Sequence, residues 1–279
     1  MAAAPPRLFG IPATGAPIVA VLRRGPSAWS QVGKWDVERG AYEPGAWIRA
    51  NLYPQRCDLS PDGRWLCYFT LKGSATWKAG PTYVAISRLP WLTALAAWGT
   101  CGTWTWGLHF VTDRTVWHVQ APAEGDVTPC RKKLGLALTR PATFAVERRR
   151  GWIESPETPA RQRSDLWDER RAVTMEKCHP RAGERVRLRV QGRFAAFRSS
   201  LPGERQDVHY ELVDDAAITE LADVQWADWD AKGRLLVATT DGRLQVRAWS
   251  RAGCATRSEV DLRAFAPSPS PPPKEAYRW

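Results

Sequence analysis

The chain has 279 residues, of which 44% are hydrophobic, and a formal net charge of +11 at pH 7. A chain of this length and composition can bury a substantial core, which excludes an intrinsically disordered protein. The longest weakly polar stretch, 89–105, is interrupted by Pro90, Gly99 and Gly102 and is too short to cross a bilayer.

The N-terminus and the cysteines indicate the compartment. Pro5, Pro6 and Pro12 interrupt the opening residues, which lack the apolar stretch of a secretory signal. The six cysteines are scattered without a C-x-x-C pair, so we expect reduced thiols and a cytoplasmic protein. Of the 40 basic residues, 32 are Arg and 8 are Lys, a bias that suggests a GC-rich, bacterial genome.

Alternating apolar and polar residues predict an all-β chain. In chain order, strands are expected over 17–22, 65–69, 82–86, 115–119, 185–190 and 234–240. Clusters of Gly, Pro, Asp or Asn separate them, as short hairpins require. One segment, 165–177, loosely fits a helical period instead.

Two hairpin sequences resemble each other and indicate a repeated unit. Residues 57–68 and 226–237 each comprise a strand, a turn whose glycine (Gly63 or Gly233) precedes an arginine, and a second strand. Weaker turn signals lie at 113–114, 150–151 and 192–193, at intervals of about 40 to 50 residues, the length of one four-stranded blade. The sequence therefore predicts a β-propeller of five four-stranded blades, with a pair of β-sandwiches as the alternative.

The first hairpin carries a family resemblance. Leu59-Ser-Pro-Asp-Gly-Arg-Trp-Leu-Cys-Tyr68 resembles the WD40-like repeat of bacterial propellers of the TolB type. In that family, Ser-Pro-Asp-Gly forms the turn between the two inner strands of a blade. Residues 32–40, which contain Trp35-Asp36, are similar to the outer part of a WD40 blade. The resemblance covers a small part of the chain and implies a fold rather than a particular role.

The position of Trp35-Asp36 predicts how the ring closes. This outer-strand signature precedes the first inner hairpin, whereas a fourth strand is hard to find after 243–249. We therefore expect a strand near 31–37 to complete the last blade, so that 1–265 is a single domain closed by its N-terminus. The Pro-rich tail, 266–279, should lack helix and strand, and either frays or docks on a partner or on the propeller itself.

The positive charge is concentrated in the middle of the chain. Residues 131–198 carry a net charge of +10, whereas the remaining residues carry +1. Alternating arginines at 185–189 lie on one face of a strand, and such a surface can bind phosphates or an acidic protein. The candidate binding residues are Arg131, Lys132, Lys133, Arg148, Arg149, Arg150, Arg161, Arg163, Arg170, Arg171, Arg185, Arg187 and Arg189.

The sixteen tryptophans suggest a second kind of contact. Most are expected in the core, because propeller blades pack through bulky residues. Trp98, Trp104 and Trp106 are candidates for stacking on a base or a sugar, since neighbouring glycines permit an exposed loop.

The sequence carries no strong catalytic or metal-binding motif, so we expect no enzyme activity, no metal and no cofactor. Asp214, Asp215, Asp228 and Asp230 could supply a glycosidase pair, although their spacing fits hairpin turns equally well. We therefore predict a non-catalytic protein-interaction scaffold with an electropositive patch on the middle blades and no membrane association. A nucleic-acid-binding module is the alternative, and a glycoside-active propeller enzyme is a further one.

Overall fold

In the computed structural model, the described residues are 4–25, 28–71, 79–100, 102, 105, 107–118, 135–138, 143–155, 168–201, 203, 207–215, 217–251 and 253–279. They form an all-β structure with a few short helical turns, as the alternation predicts. All six predicted strands are present, within three residues of the expected bounds wherever the structure describes them. The chain divides into two compact units.

The first unit comprises residues 1–9 and 143–264 and contains two antiparallel sheets. One has five strands in the order β12 to β16, which are Ile153–Glu154, Ala172–His179, Gly183–Arg193, His209–Asp214 and Ile218–Glu220. The other has four strands in the order β17 to β20, which are Val224–Trp229, Arg234–Thr239, Arg243–Ser250 and Gly253–Asp261. Of two short helices, α1 (Ala145–Arg149) precedes the five-stranded sheet in the chain, and α2 (Phe194–Arg198) lies between β14 and β15.

The second unit comprises residues 10–142 and 265–279 and contains the remaining strands, except that the division falls inside β1. The first sheet is β1 to β4, which are Arg7–Pro12, Ile18–Arg24, Ser30–Asp36 and Ala41–Ile48. The next is β5 to β8, which are Asp58–Leu59, Trp65–Thr70, Tyr83–Arg88 and Ala96–Gly99. A three-stranded sheet follows, formed by β9 (Leu108–Thr112), β10 (Thr115–His118) and β11 (Gly135–Leu138).

Four of these sheets are blades of the propeller type, so the prediction of five four-stranded blades is wrong. The four blades are antiparallel meanders of four or five consecutive strands. The sheet of β9 to β11 differs, because its described strands number three and β11 pairs with β10 in parallel. Two of the weak turn signals misled the count: 150–151 follows α1 rather than a strand, and 192–193 lies inside β14. In the five-stranded blade, the turn between β13 and β14 comes earlier in the chain, at Gly183, whose φ is 63°.

The two repeated hairpins have the same geometry. In the first, Gly63 N–H donates to Ser60 O, and Arg64 N–H donates to Ser60 Oγ. In the second, Gly233 N–H donates to Asp230 O, and the next N–H donates to Asp230 Oδ1. Each turn glycine has φ near 75°, the left-handed backbone that favours glycine. The similarity of 57–68 and 226–237 therefore reflects one repeated turn.

The predicted closure by residues 31–37 is also wrong. These residues do form a strand, β3, but it pairs with β2 and β4 of the first sheet. The last sheet has its own fourth strand, β20, whose exposed polar side chains concealed it in the sequence. Residues 6–8 reach the last sheet instead: Leu8 N–H donates to Gln225 Oε1 at 2.9 Å, and Gln225 Nε2 donates to Pro6 O at 3.3 Å.

The predicted helix over 165–177 is replaced by β13. Within this strand, Val173 and Met175 are buried, whereas Thr174 and Glu176 are less buried, which is the period-two pattern of a sheet. Residues 165–167 lie outside the described residues. The structure therefore contradicts the helical interpretation of 172–177.

The C-terminal tail packs on the second unit rather than fraying. Ala276 is fully buried in a short 3-10 helix, Lys274–Tyr277, so the tail contains a helical turn that was not predicted. The Trp279 ring lies 5.3 Å from the Trp65 ring and packs against the apolar core of this unit. Of the alternatives considered for the tail, docking back on the protein is the one observed.

Candidate functional site

The arginines of β14 lie on one face of the five-stranded blade, as the alternation predicts. Val186, Leu188 and Val190 are buried on the opposite face. We call the face that carries Arg185, Arg187 and Arg189 the arginine face. Because cross-strand partners point to the same side of a sheet, the register of the ladder identifies the other residues of this face.

One cross-strand row of the arginine face spans all five strands. Ile153 pairs with Glu176, which pairs with Arg189, and this arginine pairs in turn with Glu211 and then Glu220. A second row joins Cys178, Arg187, Val213 and Ile218. Arginine, glutamate and apolar side chains thus share one face of the sheet.

Two arginines of this face, Arg187 and Arg189, are paired with carboxylates. Arg189 Nε lies 2.8 Å from Glu176 Oε1, and its Nη1 lies 3.4 Å from Glu211 Oε2. Arg187 Nε lies 3.3 Å from Glu176 Oε2. Partial burial lowers the pKa of Arg189, but the hydrogen bonds and charges of Glu176 and Glu211 outweigh it and raise the pKa overall. The centre of the face is therefore a mixed-charge network rather than a bare cationic stripe.

Apolar side chains flank that network. Ile153, on the edge strand β12, is 64% exposed, and Ile218, on the opposite edge strand β16, is 61% exposed. They are the two most exposed large hydrophobic residues in the described part of the chain. Single exposed aliphatic side chains occur on many protein surfaces, but arginine is enriched at protein interfaces, so their combination makes this face a candidate for protein binding.

The other candidate basic residues do not join this stripe. Arg148 is exposed, and its Nη2 lies 3.8 Å from Glu154 Oε2, while Arg149 and Arg150 are partly buried at the end of α1. Arg170 is exposed in the turn before β13. Five further candidates lie outside the described residues: Arg131, Lys132, Lys133, Arg161 and Arg163.

Arg171, which was predicted as a binding residue, is buried. Its side chain has no exposure to solvent, and its Nη1 lies 2.6 Å from Glu154 Oε1. The guanidinium also lies 4.5 Å above the Phe194 ring. A residue buried in this way stabilises the blade and cannot contact a partner.

Of the three tryptophans proposed for stacking, the structure describes Trp98. Trp98 is 5% exposed and belongs to the apolar core of the second unit, so it is not a stacking platform. Trp104 and Trp106 lie outside the described residues.

Three of the four candidate carboxylates, Asp214, Asp228 and Asp230, make contacts that stabilise local structure. Asp228 is buried, and its Oδ1 lies 2.5 Å from Lys177 Nζ, while its Oδ2 accepts a hydrogen bond from Trp152 Nε1 at 3.4 Å. Asp230 caps its hairpin turn and pairs with Arg234. Asp214 Oδ1 accepts from Ala217 N–H, and Asp215 is exposed beside it. Among the described residues, no group of three or more His, Cys, Asp or Glu side chains could hold a metal ion.

A cavity of about 440 Å³ lies in the first unit. The N-terminal segment 4–8 forms one wall, and the start of β15, the end of β16 and the start of β17 form the others. The apolar lining includes Pro5, Leu8, Val208, Leu221 and Val224. Its polar side chains include His209, Glu220 and Gln225. An apolar cavity with a few polar groups has the composition of a binding pocket.

Sequence reasoning missed the acidic and apolar members of the arginine face. Glu176 lies in the segment interpreted as a helix, and Ile153 and Ile218 have the residue type expected in a core. Alternation within 172–179 was the one local signal that could have placed Glu176 beside the arginines.

Comparisons with known proteins add little to this picture. No protein-family model matches the chain, so the WD40-like resemblance of 59–68 stays a prediction. No curated protein matches its sequence. A crystal structure of an uncharacterised protein from Listeria monocytogenes is similar at a TM-score of 0.25 and 8% identity, over 89% of this chain and 69% of that one. A likeness of that strength carries no argument about function. In the described part of the chain, no helix has the length and apolar character needed to cross a membrane.

Proposed function

We propose that the protein is a non-catalytic scaffold that binds a protein partner through the arginine face. The observation that carries the proposal is the row from Ile153 to Glu220, which combines an exposed aliphatic side chain with an arginine held between two glutamates. The partner that fits it presents apolar groups and charges of both signs.

The pairing of the arginines favours protein over nucleic acid as the partner. A phosphate must compete with Glu176 and Glu211 for the guanidinium of Arg189, and both carboxylates repel it. A pre-ordered arginine network costs less to immobilise on binding, which suits protein interfaces, where arginine is enriched. Ile153 and Ile218 offer nothing to a phosphate backbone, but they bury apolar surface against a protein.

A nucleic-acid-binding module is the second candidate. It is favoured by the exposed side chains of Arg148, Arg170 and Arg185 and by the net charge of +10 over 131–198. Titration with mixed-sequence DNA and RNA at several salt concentrations separates the two functions. The scaffold proposal predicts no binding near physiological salt, whereas micromolar binding that weakens steeply with salt would support the second candidate.

Affinity capture with a matched variant tests the scaffold proposal directly. Wild type, Ile153→Asp and the control Leu71→Asp are used as baits in nuclease-treated lysate of the cells that encode the protein; Leu71 is 41% exposed in the other unit. We expect a protein that wild type and the control retain and Ile153→Asp loses. That protein is then purified and titrated by calorimetry, where Ile153→Asp should weaken binding at least about tenfold. Equal affinity of all three baits would overturn the proposal.

A further inference from the structure

The edge strand β16 leaves part of its backbone unpaired. Leu221 N–H donates to Tyr210 O, and Ala217 and Asp214 exchange N–H to O hydrogen bonds. Because hydrogen-bonded and non-hydrogen-bonded pairs alternate in an antiparallel ladder, Thr219 is the residue of β16 that bonds to β15. The N–H and C=O groups of Ile218 and Glu220 therefore point away from β15. They have no backbone partner among the described residues.

Two other edge strands of the blades, β4 and β20, carry residues that discourage pairing, whereas β16 has no proline and only one charged residue, Glu220. Strand β4 contains Pro44, and its Ala46 N–H donates to Pro90 O. Strand β20 carries Glu259 and Asp261 at its outward-pointing positions. Proline and charged residues on an edge discourage pairing with another chain. All three residues of β16 are exposed, and one of them is Ile218.

The end of this edge strand lines the cavity. Glu220 belongs both to β16 and to the cavity lining, and the next residues, Leu221 and Ala222, continue along the wall. The opposite wall, 4–8, is held by Gln225, which bonds Leu8 N, Pro6 O and Thr239 O. A peptide strand paired with β16 would thus reach a preformed apolar cavity where β16 ends.

We propose that β16 is a strand-addition site for an extended segment of a protein partner. The segment pairs with the backbone groups of Ile218 and Glu220, and an adjoining apolar side chain enters the cavity. This inference rests on the proposed scaffold function and specifies one mode of binding for it.

The charge around β16 defines the chemistry of the segment. Glu220 is exposed, and its cross-strand neighbour is another glutamate, Glu211, which already contacts Arg189. A residue docked opposite Glu220 completes a cross-strand row, so a basic side chain there is favoured and an acidic one is repelled. Two positions further on, opposite Ile218, an apolar side chain fits. The predicted segment is a short extended peptide with a basic residue between apolar residues.

Two peptide arrays test this inference on the full-length protein. The probes are ten-residue Ser/Thr-based peptides in which one Arg is flanked by Leu, Val or Phe at varied spacing, and the same peptides with Glu in place of Arg. We expect the Arg array to bind, by fluorescence polarisation of its best members, at least about tenfold more tightly than the Glu array. The inference is overturned if neither array binds or if both bind equally.

Variants locate the binding on β16. Glu220→Pro removes one outward N–H and the carboxylate, and should weaken binding at least about tenfold. The matched control is Glu259→Pro, which makes the same change at an outward position of edge strand β20 and should leave binding within about twofold. Glu220→Lys should reverse the preference towards the Glu array, a gain of binding that a misfolded variant cannot show. Binding that ignores Glu220→Pro and Glu220→Lys would contradict the inference.

The peptide tests and the Ile153→Asp test can fail separately, because Ile153 lies on the edge of the blade opposite β16. Loss of a captured protein with Ile153→Asp, together with no peptide binding, would refute strand addition and leave the scaffold function standing. Peptide binding without any effect of Ile153→Asp on capture would refute the arginine face as the docking surface.

Discussion

Lys177 and Asp228 form a buried ion pair whose partners depend on each other. The Lys177 side chain is 15% exposed and that of Asp228 is 4% exposed. Replacing Lys177 with Met leaves a buried carboxylate without its cation, so we expect a loss of about 3–5 kcal/mol in the free energy of unfolding by urea denaturation. Arg193→Ala, which breaks the exposed pair with Asp207, should cost less than about 1 kcal/mol. Similar losses for the two variants would contradict this ranking.

Gly233 is constrained by its backbone and by its neighbour. Its φ is +75°, and a Cβ there would lie 2.6 Å from the ring of His179. Gly183 has a similar φ of +63° but nothing within 4 Å of the added carbon. Gly183→Ala should cost about 1–2 kcal/mol for the backbone alone, and Gly233→Ala should cost more because the His179 ring must move. Thermal unfolding of the two variants measures the difference, and equal costs would refute the clash.

Burial makes Cys57 unreactive. Its side chain has no exposure, and burial raises the pKa of its thiol to about 12. Since the thiolate is the reactive form, we expect iodoacetamide at pH 8 to label partly exposed Cys178 well before Cys57. Peptide mapping of the labelled protein distinguishes the two sites. Rapid labelling of Cys57 in the folded protein would contradict its buried position.

At the scale of elements, local patterns predicted the strands and non-local pairing decided their arrangement. The stretch 185–190 reads as a strand because Val186, Leu188 and Val190 alternate with arginines, and it is one. Its neighbour 172–177, predicted as part of a helix, is instead part of β13, and its Glu176 pairs with Arg189 across a turn whose position the sequence does not show. The sequence also does not show which glycine turns the chain, and here it is Gly183 rather than Gly192.

The docked tail is an element that stabilises the second unit. Trp279 is partly buried against the core around Trp65, whereas Tyr277 is 60% exposed. Trp279→Ala should lower the free energy of unfolding by about 1–2 kcal/mol through lost apolar burial and ring contact. Tyr277→Ala should change it by less than about 0.5 kcal/mol. Urea denaturation followed by far-UV circular dichroism quantifies both, and an inert Trp279→Ala would show that the tail contributes nothing.

At the scale of the whole molecule, the sequence showed where the positive charge is concentrated, but not which of these side chains are buried or ion-paired. The net charge of +10 over 131–198 includes a buried residue, Arg171, and two paired ones, Arg187 and Arg189. Counting charges cannot tell these apart, because pairing depends on which strands are neighbours. In the same way, the residue type alone does not distinguish the exposed Ile153 from a buried isoleucine such as Ile86. Alternation predicted that the arginines share a face, but the glutamates and isoleucines beside them could be identified only from the pairing of the strands.

Site-specific photo-crosslinking in the native cells tests the central claim most directly. A photoreactive phenylalanine derivative replaces Ile153 on the arginine face or, as the control, Leu71 in the other unit. The scaffold account predicts a discrete protein adduct from position 153 that is absent from position 71 and resistant to nuclease. Nuclease-sensitive adducts, or the same adducts from both positions, would contradict it.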